Sequence, residues 1–237
     1  MAVELFTHTL FSDANLVSYY RMEGNSNDSK GSNNGTDTTI TYNAGNGKFG
    51  QGAGFGGASK IAMGAIVIPT GAKTILVWSK SSSTGEQTLC GTLQLGSSPA
   101  TDQGDYVAIG NGAGDVALYS LQNASTLLSV AGTTNVCDGN YHLIGATYNA
   151  SDSKIRVYVD GVLEGTSSGT ITDGGTAREN MVIGQDPINF FNKLTGAVDD
   201  LAIFNRTLTD AEILAFYNFG VAGGGSPMLF GGGVTIG

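Results

Sequence analysis

The sequence predicts an all-β fold built from antiparallel strands, a sandwich or a barrel, and three observations carry that expectation. Short β-rich runs recur along the chain between clusters of Gly, Asn, Asp and Ser. The 237 residues include 37 glycines and are only 13% charged, about half the usual charged share, which argues against helical bundles and coiled coils. A single segment carries helix signals. The hydrophobic fraction of 41% is enough to fill a core, so wholesale disorder is excluded as well.

Taken in order, the run K-T-I-L-V-W-S-K-S from Lys73 to Ser81 reads as a strand, and Asp105 to Gly110 and Asp115 to Gln122 read as two more. In Lys154 to Gly165, Ile155, Val157 and Val159 alternate with Arg156 and Tyr158. Asp160-Gly161 then supplies the two positive φ angles of a type I′ turn, so a hairpin is expected. Thr209-Asp-Ala-Glu212 is a capping box, in which the Thr hydroxyl and Glu carboxylate satisfy exposed backbone N–H groups reciprocally. Ile213, Leu214, Phe216 and Tyr217 continue a helix of about three turns, with Gly220 as its expected stop. Such a helix is stable only when packed on something.

Beyond Gly220 two glycine triplets enclose Pro-Met-Leu-Phe. Gly-rich segments behave as flexible coils. Yet a purely solvated tail has no use for Met228, Leu229, Phe230 and Ile236, and the second reading is an arm that docks on a neighbouring subunit. The expected organisation is an N-terminal arm over 1–11, one domain over 12–219 and a Gly-rich arm over 220–237.

The formal net charge is −9, from 20 acidic and 11 basic side chains. A nucleic-acid partner requires a basic face, which thinly spread Lys and Arg do not supply. No apolar run approaches the roughly 20 residues that span a bilayer, and no secretory signal is visible at the N-terminus. Cys90 and Cys137 could form one bridge or none.

Four segments, taken together, resemble the laminin G-like, concanavalin A-like jelly-roll family of lectins and glucanases. Leu16 to Gly35, L-V-S-Y-Y-R-M-E-G-N-S-N-D-S-K-G-S-N-N-G, looks like its opening strand and Asp/Asn/Gly loop. Gly47 to Gly56, G-K-F-G-Q-G-A-G-F-G, is similar to its Gly-kinked second strand. Gly139 to Tyr148 joins the Asp160-Gly161 hairpin, and Leu194 to Ile213 resembles the closing strand and short helix. The resemblance spans about residues 15 to 219 and implies an antiparallel β-sandwich of two packed sheets. It does not fix function.

Hydrolases of this superfamily use two carboxylates close together on one strand. Here no two glutamates lie closer than 15 positions, and Asp199 and Asp200, being adjacent, are expected on opposite faces of a strand. Glucanase activity is therefore the least favoured reading. His142 is expected to be structural, and the Cys and His spacings fit no zinc site. Gly45-x-Gly47-x-x-Gly50 matches a dinucleotide fingerprint only formally, because it opens no helix.

A Ca²⁺ site is the best candidate for bound-ion chemistry. Calcium takes six to eight oxygens, and residues 25–34 are dense in them. The resemblance implies that this loop meets Asp199 at one rim, with Asp28 and Asp199 as ligands and Glu23 as a weaker third. The alternative is an ion-free loop of Asx turns. For glycans, Trp78 lies in an apolar strand and reads as core, so Phe190-Phe191-Asn192 is the better rim candidate, with a buried plug as its alternative.

The expected function is non-enzymatic. The first reading is a structural or decoration subunit of a larger assembly, a virion or extracellular surface component whose partners are other protein subunits. The second is a glycan-binding adhesin, and the two overlap.

Overall fold

The computed structural model describes residues 8–63, 68–92, 104–111, 115–123, 126–173, 181–186 and 192–222. The first strands are β1 (Leu16–Tyr20), β2 (Gly35–Thr38), β3 (Thr41–Asn43), β4 (Gly52–Phe55) and β5 (Lys60–Met63). Next come β6 (Lys73–Lys80), β7 (Gln87–Gly91), β8 (Gly104–Asn111), β9 (Val116–Gln122) and β10 (Leu127–Ala131). The last are β11 (Tyr141–Asn149), β12 (Lys154–Val159), β13 (Val162–Thr166), β14 (Val182–Ile183) and β15 (Gly196–Phe204), followed by helix α1 (Asp210–Val221).

These strands form two antiparallel sheets. One has eight strands, ordered β13-β12-β11-β6-β15-β4-β3 with β1 paired to β15. The other has seven, ordered β10-β9-β8-β7-β14-β5-β2. The expected sandwich is therefore present. Ile75, Val77, Ile144, Val157, Val198 and Ile203 of the first sheet pack against Leu89, Val107, Ile109, Tyr119 and Leu121 of the second. Period-2 alternation makes this possible, since each strand sends every other side chain inward.

The eight-stranded sheet has a second apolar face. Leu76, Trp78, Leu143, Tyr158 and Phe204 point outward and are covered by Ile213 and Phe216 of α1 and by Leu10. Residues 8–12 are thus docked on the domain, Thr9–Ser12 as a turn of 3₁₀ helix, with the His8 ring edge-on to Phe216 and Phe219 at 5.6 and 5.1 Å. Trp78 is fully buried, as expected, but under the helix rather than between the sheets; it stacks on Tyr217 and meets Phe49 edge-on.

The hairpin forms with φ of 51° at Asp160 and 82° at Gly161. The capping box also forms, Thr209 Oγ1 accepting from Glu212 N while the Glu212 carboxylate accepts from Thr209 N. Gly220 is not the stop that was expected, for α1 runs through it to Val221. Its role is steric: a Cβ there would lie 2.6 Å from Trp78 Cζ2, so only glycine lets the helix approach the indole this closely.

Candidate functional site

The expected metal ligands are occupied by the protein itself. Asp28 Oδ1 accepts from the backbone N–H groups of Tyr19, Lys30 and Gly31, each at 3.0 Å, and Oδ2 accepts from Asn33 N at 3.3 Å. Burial pushes the Asp28 carboxyl up, but these donors outweigh it and hold the group below its ordinary value. Asp199 Oδ2 accepts from Lys48 N and Phe49 N at 2.8 and 2.9 Å, and Oδ1 accepts from Asp200 N. Glu23 Oε1 accepts from Gln51 N. Asp199 and Glu23 therefore pin one loop, residues 48–51, while Asp28 organises its own. Asp28 and Asp199 thus spend their oxygens on backbone N–H donors, and no group of three His, Cys, Asp or Glu assembles for a metal among the described residues.

Asp199 and Asp200 correct the alternation rule. The register of β15 shifts between Asp199 and Ala202, and Asp200 has φ of 43°. This bulge sends both carboxylates toward the outer layer, Asp199 to the Phe49 loop and Asp200 to the Tyr19 hydroxyl. Both are buried, so no substrate reaches them. Burial, reinforced by the Asp200 charge, pushes Asp199 up to about 9 against its three N–H donors. His142 is structural as expected: Nδ1 lies 2.7 Å from Asp160 Oδ2 and Nε2 lies 3.2 Å from Asp138 Oδ1, tying β11 to the hairpin turn. Cys90 and Cys137 are not bridged.

Asn192 is the one sequence-derived ligand candidate found in a polar cluster; Phe190 and Phe191, like Met228, Leu229 and Phe230, lie outside the described residues. Along β8, Val107 and Ile109 face the core while Tyr106 and Ala108 face outward beside Leu118 of β9. At this outer face Asn192 is fixed twice. Its carbonyl accepts from Thr88 N at 2.6 Å, and its left-handed φ of 49° turns the side chain toward Tyr106. Asn192 Nδ2 donates to Glu86 Oε1 at 2.8 Å and to the Tyr106 hydroxyl at 3.0 Å.

Tyr106 in turn donates to Glu86 Oε1 at 2.7 Å and accepts from Thr88 Oγ1 at 3.3 Å. Burial pushes the Tyr106 phenol well above its ordinary range, the Glu86 carboxylate acting in the same direction, so it remains a donor. Glu86 and Asn192 are half-buried. Among the described residues, no protein group hydrogen-bonds to Glu86 Oε2 or Asn192 Oδ1. Two acceptors are thus presented side by side with their positions fixed. Glu86 and Tyr106 were missed in the sequence because Asn192 lies 106 and 86 residues from them; the only local hint was a tyrosine in outward register on β8.

An open groove of about 760 Å³ lies elsewhere, between the first turn of α1 and β12. Its Arg156 and Tyr158 side chains are already paired, with Asp152 and Asp210. Volume alone makes a weaker site than the unspent acceptors of Glu86 and Asn192.

Comparison with known proteins adds a family and a set of folds. The family model described as concanavalin A-like lectin/glucanases superfamily matches residues 55–214. Domain 4 of AbnA, a GH43 extracellular arabinanase from Geobacillus stearothermophilus, solved in complex with arabinotriose, is similar in fold. Its TM-score is 0.67 at 17% identity, over 85% of this chain and 98% of that one. The binding domain of Paraclostridial Mosquitocidal Protein 1 has a TM-score of 0.69 at 15% identity, over 86% of this chain and 52% of that one. The Ruminococcus gnavus IT-sialidase CBM40, bound to α2,3-sialyllactose, has a TM-score of 0.52 at 17% identity, over 62% of this chain and 82% of that one. At such identities the likeness is one of fold.

Proposed function

Because the chain belongs to the concanavalin A-like lectin/glucanase superfamily, we propose that it is a non-catalytic glycan-binding domain whose ligand meets Glu86 and Asn192 at the seven-stranded sheet, the two side chains being held by the buried Tyr106 beneath them. The observation that carries this reading is the pair of acceptors left by the Glu86–Asn192–Tyr106 cluster. Both are acceptors, so the ligand must bring donors, and sugar hydroxyls supply them. A carboxylate-bearing sugar would meet the Glu86 charge, so neutral sugars are favoured over acidic ones.

The domain is read as non-catalytic for a related reason. Glu86 has an amide and a phenol as hydrogen-bonding partners and no second carboxylate, and the adjacent Asp199 and Asp200 are buried. Among the described residues, a two-carboxylate glycosidase mechanism therefore has no pair to work with at this face.

The test is a glycan array followed by titration calorimetry with the hits, using arabinotriose and sialyllactose as neutral and acidic probes. Asn192→Ala and Glu86→Gln are expected to weaken a neutral ligand by about tenfold or more, roughly 1.4 kcal/mol, with little change in melting temperature. An array without hits, or full affinity in both variants, sinks the proposal. A role as a subunit of a virion or other assembly remains a proposal from the sequence, resting on Met228, Leu229 and Phe230. Size-exclusion chromatography of the full chain against one ending at Val221 addresses it.

A further inference from the structure

Between the sheets, away from the Glu86 cluster, lies a group of ionisable side chains with no role in the reading above. Lys73 opens β6 in the same inward register as Ile75 and Val77, and Asp105, second in β8, lies in the inward register of Val107 and Ile109. The two sheets therefore face each other here through a lysine and a carboxylate. Lys73 Nζ lies 3.0 Å from Asp105 Oδ2 and 2.7 Å from Asp173 Oδ2, and the three side chains are 0%, 0% and 2% exposed. The Tyr119 hydroxyl donates to Asp105 Oδ1 at 2.6 Å, and Gly71 N donates to Asp173 Oδ2 at 2.9 Å.

We propose that Lys73 and Asp105 condense to an intramolecular amide that covalently joins the two sheets, with Asp173 as the proton carrier. Three features of the geometry assign these roles. Nζ lies 3.0 Å from Oδ2, which is one bond from the carbon it must reach, so nucleophile and target are held next to each other. The Tyr119 O–H points at the other oxygen of Asp105, where negative charge would develop in a tetrahedral intermediate. Asp173 presents an oxygen to the same nitrogen from outside that pair. Water is excluded, which disfavours the separated ions and removes the competing nucleophile.

The step balances without a co-reactant. Asp173 takes a proton from the Lys73 ammonium, and the freed amine attacks Asp105 Cγ, forming the N–C bond. Asp173 passes its proton to Asp105 Oδ2 and then relays a second one from Nζ to the same oxygen. The Cγ–Oδ2 bond breaks and water leaves. The third proton stays on the amide nitrogen, and Asp173 returns to its starting state.

This inference is independent of glycan binding, and mass spectrometry of the full chain tests it. The intact denatured protein is expected to be lighter than its sequence by one water. Trypsin should then fail to cut after Lys73 and yield a branched peptide joining segments 61–80 and 81–154. Lys73→Arg and Asp173→Asn are each expected to restore the full mass, the first by removing the nucleophile and the second by removing the proton carrier. Wild-type protein at full mass with normal cleavage after Lys73 overturns the proposal, and so does a water lost at any other residue. Both wild-type readouts stand even if a variant fails to fold.

Discussion

Asp28 illustrates how a polar residue is read differently alone and in place. In the sequence it sits in a loop rich in oxygen donors, the composition a calcium site requires. In the fold its two oxygens collect four backbone N–H groups that would otherwise be left without partners. Asp28→Ala strands those donors and is expected to cost about 2–4 kcal/mol, lowering the melting temperature by roughly 5–15 °C for a chain of this size. Added Ca²⁺ or chelator should leave the wild-type melting temperature unchanged. A calcium-dependent rise would show that the loop is built for an ion after all. The sequence identified Asp28 as important but not its partners, because N–H donors belong to the backbone and leave no trace in residue type. Asn192 is a similar case: its place at a rim was legible, whereas Glu86, just before β7, and Tyr106, in β8, lie far along the chain from it.

At the scale of elements, local signals were reliable wherever the interaction itself is local. The Asp160-Gly161 turn and the Thr209–Glu212 box join residues at most three apart, and both formed as expected. Two readings failed because the fold imposed a different constraint. The bulge in β15 broke the two-residue period at Asp199 and Asp200, and contact with Trp78 gave Gly220 a packing role in place of a capping one. The second failure has a measurable sign. Gly220→Ala gains about 1 kcal/mol of helix propensity but pushes a methyl into an indole held between Phe49 and Tyr217, an overpacking cost of typically 1–3 kcal/mol. A net loss of stability is expected in urea unfolding, with an altered Trp78 fluorescence maximum. A more stable variant would mean that α1 can lift off the sheet without penalty.

For the molecule as a whole, the buried carboxyl of Asp199 sets a pH dependence. An unfolded chain releases this proton near its ordinary value of 3.8, whereas the folded one keeps it to about 9. Between those limits the folded state binds more protons, so stability falls as pH rises from about 4 to about 9 and levels off above. Glu212 acts at the other end. The Arg206 guanidinium holds it down to about 2, so its contribution is present above its ordinary 4.5 and fades as pH falls through about 2. Melting temperatures measured across pH 5 to 9 should decline, and Asp199→Asn should flatten the decline; a wild-type curve rising over that range would contradict the assignment.

The contact between His8 and Phe219 has a geometric consequence. It brings the first and last stretches of the described chain to the same side of the molecule, behind the helix-covered sheet. Any tether attached through either terminal stretch would hold the domain from its back, leaving Glu86 and Asn192 turned outward like the palm of a raised hand.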